Sequence, residues 1–196
     1  TADEDLRTKP AAQIAFREAY YSGYGPAGPV EQIYQRNGQR YRDLYYRLHA
    51  EVDSPIDRVR RAVTSSSDDA VLVRTSDHGD LLGAHGGLHQ KWFNLYDEAT
   101  RVPLVIARIG AGATAPRVVT APTSHVDLVP TLLGAAGVDV EAVAAMLRED
   151  FSEVHPLPGR DLMPVVDGGP ADEDRAVYLM TRDNMLEGDS GASGIA

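Results

Sequence analysis

Two short apolar runs, residues 70–75 (AVLVRT) and 102–107 (VPLVIA), enclose a stretch crowded with glycine and histidine, residues 77–100. The runs are short and rich in valine and isoleucine, so they read as mostly buried strands. A connection this long with no evident secondary structure is uncommon in a compact domain and is usually functional. This arrangement constrains the fold more than any other feature. A buried sheet is expected, and one of its connections does more than link strands.

Helical patterns surround these strands. Residues 11–20 have helical character and lead into a Gly/Pro-rich loop, GYGPAGPV. Within 31–50, Tyr41, Leu44, Tyr45 and Leu48 fall at i, i+3, i+4 and i+7, one face of an amphipathic helix. Val52, Ile56, Val59 and Val63 repeat the pattern, and Ser54-Pro55-Ile56-Asp57 reads as a fresh N-terminus, so two consecutive helices are expected. Ser124-His125-Val126-Asp127 starts another helix, with Pro130 in its first turns and Gly137 as its stop. Residues 140–147 read as helix and 177–180 as a strand. Helices alternating with buried strands give an α/β layered fold. In it, 70–75 and 102–107 should be neighbours in one sheet, flanked by helices at 40–63 and 125–136. We assign 1–186 to one α/β domain and expect 187–196 (EGDSGASGIA) to be a disordered tail.

Charge and composition exclude several classes. The net charge is −10. Residues 138–196 carry most of it, and no basic face suited to nucleic acid stands out. Cysteine is absent, which removes disulfides, thiolate metal sites and a cysteine nucleophile. No run approaches the ~18 apolar residues of a membrane span. The first ten residues are polar, so no secretory signal is expected within them.

The candidate chemistry lies in residues 75–91, TSDHGDLLGAHGGLHQK. Asp77 and His78 fall where a strand runs out into a loop. Adjacent side chains of an extended strand point apart, so both reach one metal only if the backbone turns, and Gly79 permits that turn. A carboxylate and a neutral imidazole suit a divalent cation, while a strand-ending turn with Asp77 bonding local N–H groups explains the same residues. His85 and His89 stand at i, i+4, but the glycines between them weaken any helix there. Lys91 is one of only two lysines, against seventeen arginines. It reads either as a point charge for an anionic oxygen or as a solvated loop residue. His49, His125 and His155 read as surface or capping residues, and Arg101 as structural, paired with Asp97 or Glu98.

The run TSDHGDLLGAHGGLHQKWFNLYDEATRVPLVI resembles the second signature region of the sulfatases, in the alkaline phosphatase superfamily. The resemblance extends to YRDLYYRLHAEVDSPIDRV before it, and to SHVDLVPTLLGAAGV and GRDLMPVVDG after it. Four segments in family order span roughly 40–168. The resemblance implies part of an alkaline-phosphatase-like fold, with helices packed on a central sheet. It also implies that Asp77 and His78 bind a divalent metal, usually calcium, and that Lys91 contacts the sulfate and its bridging oxygen. His85 and His89 then belong to the substrate-facing loop. The Asp-His pair, in place of Asp-Asn, is similar to choline-sulfatase-like and phosphonate-hydrolase-like members.

Sulfatases attack with formylglycine, made from Cys or Ser in C/S-x-P-x-R, and that motif is absent here. Ser54-Pro55-Ile56-Asp57-Arg58 has its proline misplaced, and the family's N-terminal paired aspartates are missing. The chain is therefore expected to be the C-terminal part of an arylsulfatase- or choline-sulfatase-like enzyme, inactive alone. The full-length protein is expected to hydrolyse a small-molecule or carbohydrate sulfate ester. A phosphodiesterase or phosphonate monoester hydrolase of the same superfamily and a non-catalytic interaction module are the alternatives.

Overall fold

The computed structural model describes residues 4–24 and 30–180. The expected tail at 187–196 lies outside them. The described residues divide into two compact units, one containing 4–24, 30–59, 75–103 and 179–180, the other 60–74 and 104–178.

In the first unit, a single 3-10 turn, Leu6–Thr8, leads into helix α1, Ala11–Tyr24. The Gly/His stretch then folds against them. Leu81 and Leu88, each 1% exposed, form a core with Leu6 and Phe16, and Ile14, Trp92, Phe93 and Tyr96 pack around it. Burying an aliphatic or aromatic side chain of this size contributes ~1.5–3 kcal/mol. The connection is thus a packed element rather than a slack one. Only two short helical turns interrupt it, α3 (Ala84–Gly87) and α4 (Asp97–Thr100).

Helix α2 runs without a break from Val30 to Ser66, through Pro55. The two helices expected here are one. Proline removes a single i to i−4 hydrogen bond, and the helix continues for many residues on both sides of it. Ser54 does not act as a cap, because its hydroxyl accepts a long bond from the Arg58 guanidinium (3.4 Å). The apolar stripe of α2 is present, but Leu44, Leu48, Val52 and Val59 remain about half exposed.

In the second unit, β1 (Asp69–Thr75) and β2 (Leu104–Gly110) pair as a two-stranded antiparallel sheet. The expected adjacency of the two runs is therefore observed. Helices α5 (Leu128–Ala135), α6 (Val140–Asp150) and α7 (Met163–Val166) follow, with α7 against β2 and α5. Residue boundaries around α5 match the sequence signals. The Ser124 N–H donates to Asp127 Oδ2 (2.8 Å), and Gly137, at φ 68°, ends the helix in the left-handed conformation. The strand expected at 177–180 is not formed; Tyr178 there is 83% exposed. Alternating apolar residues make a strand only where a neighbouring backbone supplies the ladder.

Candidate metal and anion site

The chain turns immediately after β1. The Asp77 carboxylate accepts the His78 N–H (2.9 Å), and the Ser76 hydroxyl donates to the His78 carbonyl (2.8 Å). Gly79 donates to the Ala99 carbonyl (2.9 Å), and a Cβ at Gly79 would collide with the Glu98 carbonyl. Only glycine fits against α4 at this point. The local bonding expected of a strand-ending aspartate is therefore present, and it coexists with a second feature.

The His78 ring nitrogen Nδ1 lies 2.8 Å from the Gly79 carbonyl oxygen. A carbonyl can only accept, so Nδ1 donates to it and Nε2 is the ring nitrogen left to face Asp77. Nε2 stands 3.3 Å from Asp77 Oδ2, and that carboxylate is 81% exposed. At this distance the pair is matched either by a proton on Nε2 or by a cation near both groups. A backbone carbonyl that fixes the tautomer of an imidazole is also the usual support for a metal-binding histidine. The pair suits a divalent cation, but as two members of a larger shell: among the described residues no group of three or more His, Asp or Glu side chains converges.

Asp77 is held below the usual carboxylate range. The His78 N–H is the main cause, working against a small burial penalty, with further help from the charges of His78 and Lys91. Lys91 follows on the same loop. It is half-buried, and its Nζ lies 5.4 Å from the centre of the Trp92 ring, within reach of the ring's negative face. Asp77 and His78 are in contact, and the contact the structure gives Lys91 is with Trp92.

The two other histidines are placed differently. His85 stacks flat on Tyr96, with 3.6 Å between ring centres. Its Nδ1 faces Glu4 (2.8 Å) and its Nε2 faces Glu98 (3.1 Å). Both nitrogens are engaged by carboxylates, and Glu4 is lowered to about 2 by its bonds to Lys9 and His85. His89 is 5% exposed and meets the Tyr41 ring edge-on at 5.0 Å; burial lowers its pKa against the raising influence of Asp80. Arg101 reaches Asp97 only at 4.0 Å in an exposed pair.

Sequence reasoning overlooked the backbone of this loop. Leu82, His85, Gln90 and Phe93 all have positive φ, between 49° and 57°. They are the non-glycine residues in that conformation among the described residues. Each costs ~1 kcal/mol or more, and such strain gathers at binding and catalytic sites. It also overlooked Asp80, whose Oδ1 accepts from the Leu82 N–H (2.8 Å) and the Gln90 N–H (3.1 Å).

The loop that follows β1 thus carries a carboxylate, an imidazole and a lysine within fifteen residues, on a strained and packed backbone. The sulfatase family model matches residues 8–138, and the chain belongs to the sulfatase family. It is 34% identical over 139 residues to the uncharacterised sulfatase YidJ of Escherichia coli, covering 70% of this chain and 25% of that protein. To the choline-sulfatase of Rhizobium meliloti it is 35% identical over 143 residues, 69% of this chain and 24% of that one. A multifunctional alkaline phosphatase superfamily protein, PehA of Trinickia caryophylli, is 30% identical over 112 residues, 56% of this chain and 21% of its own length. The chain thus spans about a quarter of the length of these relatives. Family membership makes the α/β arrangement part of an alkaline-phosphatase-like fold.

Proposed function

We propose that this chain supplies the metal-and-lysine portion of a sulfate ester hydrolase. The observation that carries the reading is the His78 geometry: Nδ1 committed to the Gly79 carbonyl, and Nε2 aimed at Asp77 Oδ2 3.3 Å away. Asp77 and His78 would hold a divalent cation, calcium by the family resemblance. When bound, such a cation polarises the sulfuryl oxygens and makes sulfur more electrophilic. Lys91 would donate to the bridging ester oxygen and neutralise charge as the leaving group departs. The half-exposed stripe of α2 supports a reading in which more polypeptide packs on this chain. We assign the formylglycine nucleophile to that polypeptide, because these residues contain no C/S-x-P-x-R.

Two measurements with a chromogenic aryl sulfate and excess calcium test the proposal. The 196-residue chain alone should stay at background, since the covalent route needs a nucleophile it does not contain. In the full-length protein, Lys91→Ala should lower kcat on the order of 100-fold or more. Wild-type turnover in the Lys91→Ala variant would overturn the assignment. The resemblance of the Asp77-His78 pair to phosphonate-hydrolase-like members favours one second reading, hydrolysis of phosphodiesters or phosphonate monoesters at the same site. An aryl phosphodiester assayed in parallel, and turned over faster than the sulfate, would establish it.

A further inference from the structure

Lys91 is the first residue after a closed loop, and one carboxylate oxygen bonds both ends of it. Oδ1 of Asp80 accepts from Leu82 at the start of the loop and from Gln90 at its end. Beside it the Leu81 N–H donates to the Gln90 carbonyl (3.0 Å), and the Gly83 N–H donates to the Leu88 carbonyl (2.8 Å). Both N–H groups that Asp80 receives belong to residues with left-handed backbone, Leu82 at φ 49° and Gln90 at φ 56°. Neither is glycine, so neither adopts that conformation without outside support. A carboxylate acceptor forms charge-assisted bonds, among the stronger kinds available to a backbone donor. Leu81 and Leu88 anchor the loop body in the core. Asp80 bonds the N–H of Gln90, the residue from which Lys91 leaves the loop.

We infer that Asp80 is a positioning residue for the anion site: it holds Gln90 in the left-handed conformation that aims Lys91. The inference rests on the proposed role of Lys91. It assigns Asp80 no contact with substrate. Its consequence is specific, because loss of the clamp should matter only through Lys91. A misplacement of about 1 Å in a catalytic group costs on the order of 100-fold in rate.

The test is a double-mutant cycle in the full-length protein, read with an aryl sulfate. Asp80→Ala should lower kcat about 10- to 100-fold, with a smaller change in KM. Asp80→Asn keeps a carbonyl oxygen to accept both N–H groups and should restore most of the rate. The Asp80→Ala/Lys91→Ala pair should be no slower than Lys91→Ala alone. A further loss in that pair, a rate equal to wild type in Asp80→Ala, or an Asn variant as poor as Ala would each overturn the proposal. Amide hydrogen exchange separates this failure from failure of the functional reading. Leu82 and Gln90 should lose protection in Asp80→Ala and keep it in Asp80→Asn, and unchanged protection in both would overturn the clamp itself. Should Lys91→Ala leave turnover intact, the role of Lys91 fails and the aiming function of Asp80 fails with it; exchange then reports on the clamp alone.

Discussion

Asp77 and Asp127 both sit in segments with sulfatase-like motifs, and their surroundings are opposite. Asp127 is 0% exposed. It accepts both Arg175 guanidinium donors (2.7 Å each), the Arg160 N–H (2.9 Å) and the Ser124 N–H (2.8 Å). Thr131, next to it, donates to the Asp127 carbonyl and accepts the Leu162 N–H (3.0 Å). Burial alone would raise the Asp127 pKa, and the Arg175, Arg160 and Ser124 donors outweigh it and hold it low. Asp77 accepts one backbone N–H, that of its neighbour, has an open face toward solvent and lies 3.3 Å from His78 Nε2. A carboxylate with every lone pair satisfied fastens parts of the fold together. One left short of donors beside an imidazole is available to a cation. The second unit uses its motif aspartate to join α5 to the 160–175 segment, while the first unit leaves its own exposed.

The largest effect should come from Asp127. Asp127→Ala leaves the Arg175 guanidinium, whose side chain is 10% exposed, without its partner. It also strands two backbone N–H groups. Breaking a buried pair in this way costs ~3–5 kcal/mol, measurable by urea unfolding of the chain. A loss under ~1 kcal/mol would show that the pair is a surface contact and that the contrast with Asp77 is false.

Acidification should act next, and through the same residue. The folded-state pKa of Asp127 is lowered, below the ~3.9 of an unfolded aspartate. Its stabilisation is therefore fully present above pH ~4 and disappears as pH falls through the folded value. The urea midpoint should hold from neutral pH down to about 4, then drop. In Asp127→Asn the drop should be shallower, and an unchanged drop would assign it to other carboxylates.

How far these roles were legible in the sequence follows the distance over which each interaction acts. Ser124, Asp127 and Gly137 announce a helix start and stop because capping is local, and the structure has them there. The paired strands were legible from their apolar runs. The Arg175 partner of Asp127 lies 48 residues away, and no periodicity connects two such positions. Pro55 misleads because a local start signal is outweighed by a helix continuing on both sides. The loop was hidden for another reason. Left-handed Leu82, His85, Gln90 and Phe93 go against every local preference, and only tertiary support such as Asp80 and the Leu81–Leu88 core makes them possible. Asp77, His78 and Lys91 were legible as residue types, whereas the Nδ1 bond of His78 and the engagement of His85 by Glu4 and Glu98 required coordinates.

The opposite variant sharpens the comparison from the other side. Asp77→Ala removes an 81% exposed side chain, so the urea midpoint should match wild type within error. Surface changes away from caps and buried networks rarely move stability. A clear loss of stability would mean that Asp77 is structural, like Asp127.

The smallest expected effect is that of calcium on the isolated chain. A hard cation seeks ~6–8 oxygen ligands. This site supplies one carboxylate and one imidazole nitrogen, and among the described residues no third acidic or histidine side chain joins them. A ligand that binds only the folded state multiplies the folding constant by one plus its concentration over Kd. With Kd at or above the millimolar range of the weakest protein calcium sites, 1 mM calcium should raise that constant no more than about twofold. The urea midpoint should barely move, and Asp77→Ala should leave even that small response indistinguishable from zero. A rise of about 100-fold would require calcium at a hundred times its Kd. It would mean that residues of this chain complete the shell without further polypeptide. If Asp77→Ala then abolished the rise, the first unit would hold a finished metal site, and the contrast between an open aspartate and a satisfied one would no longer stand.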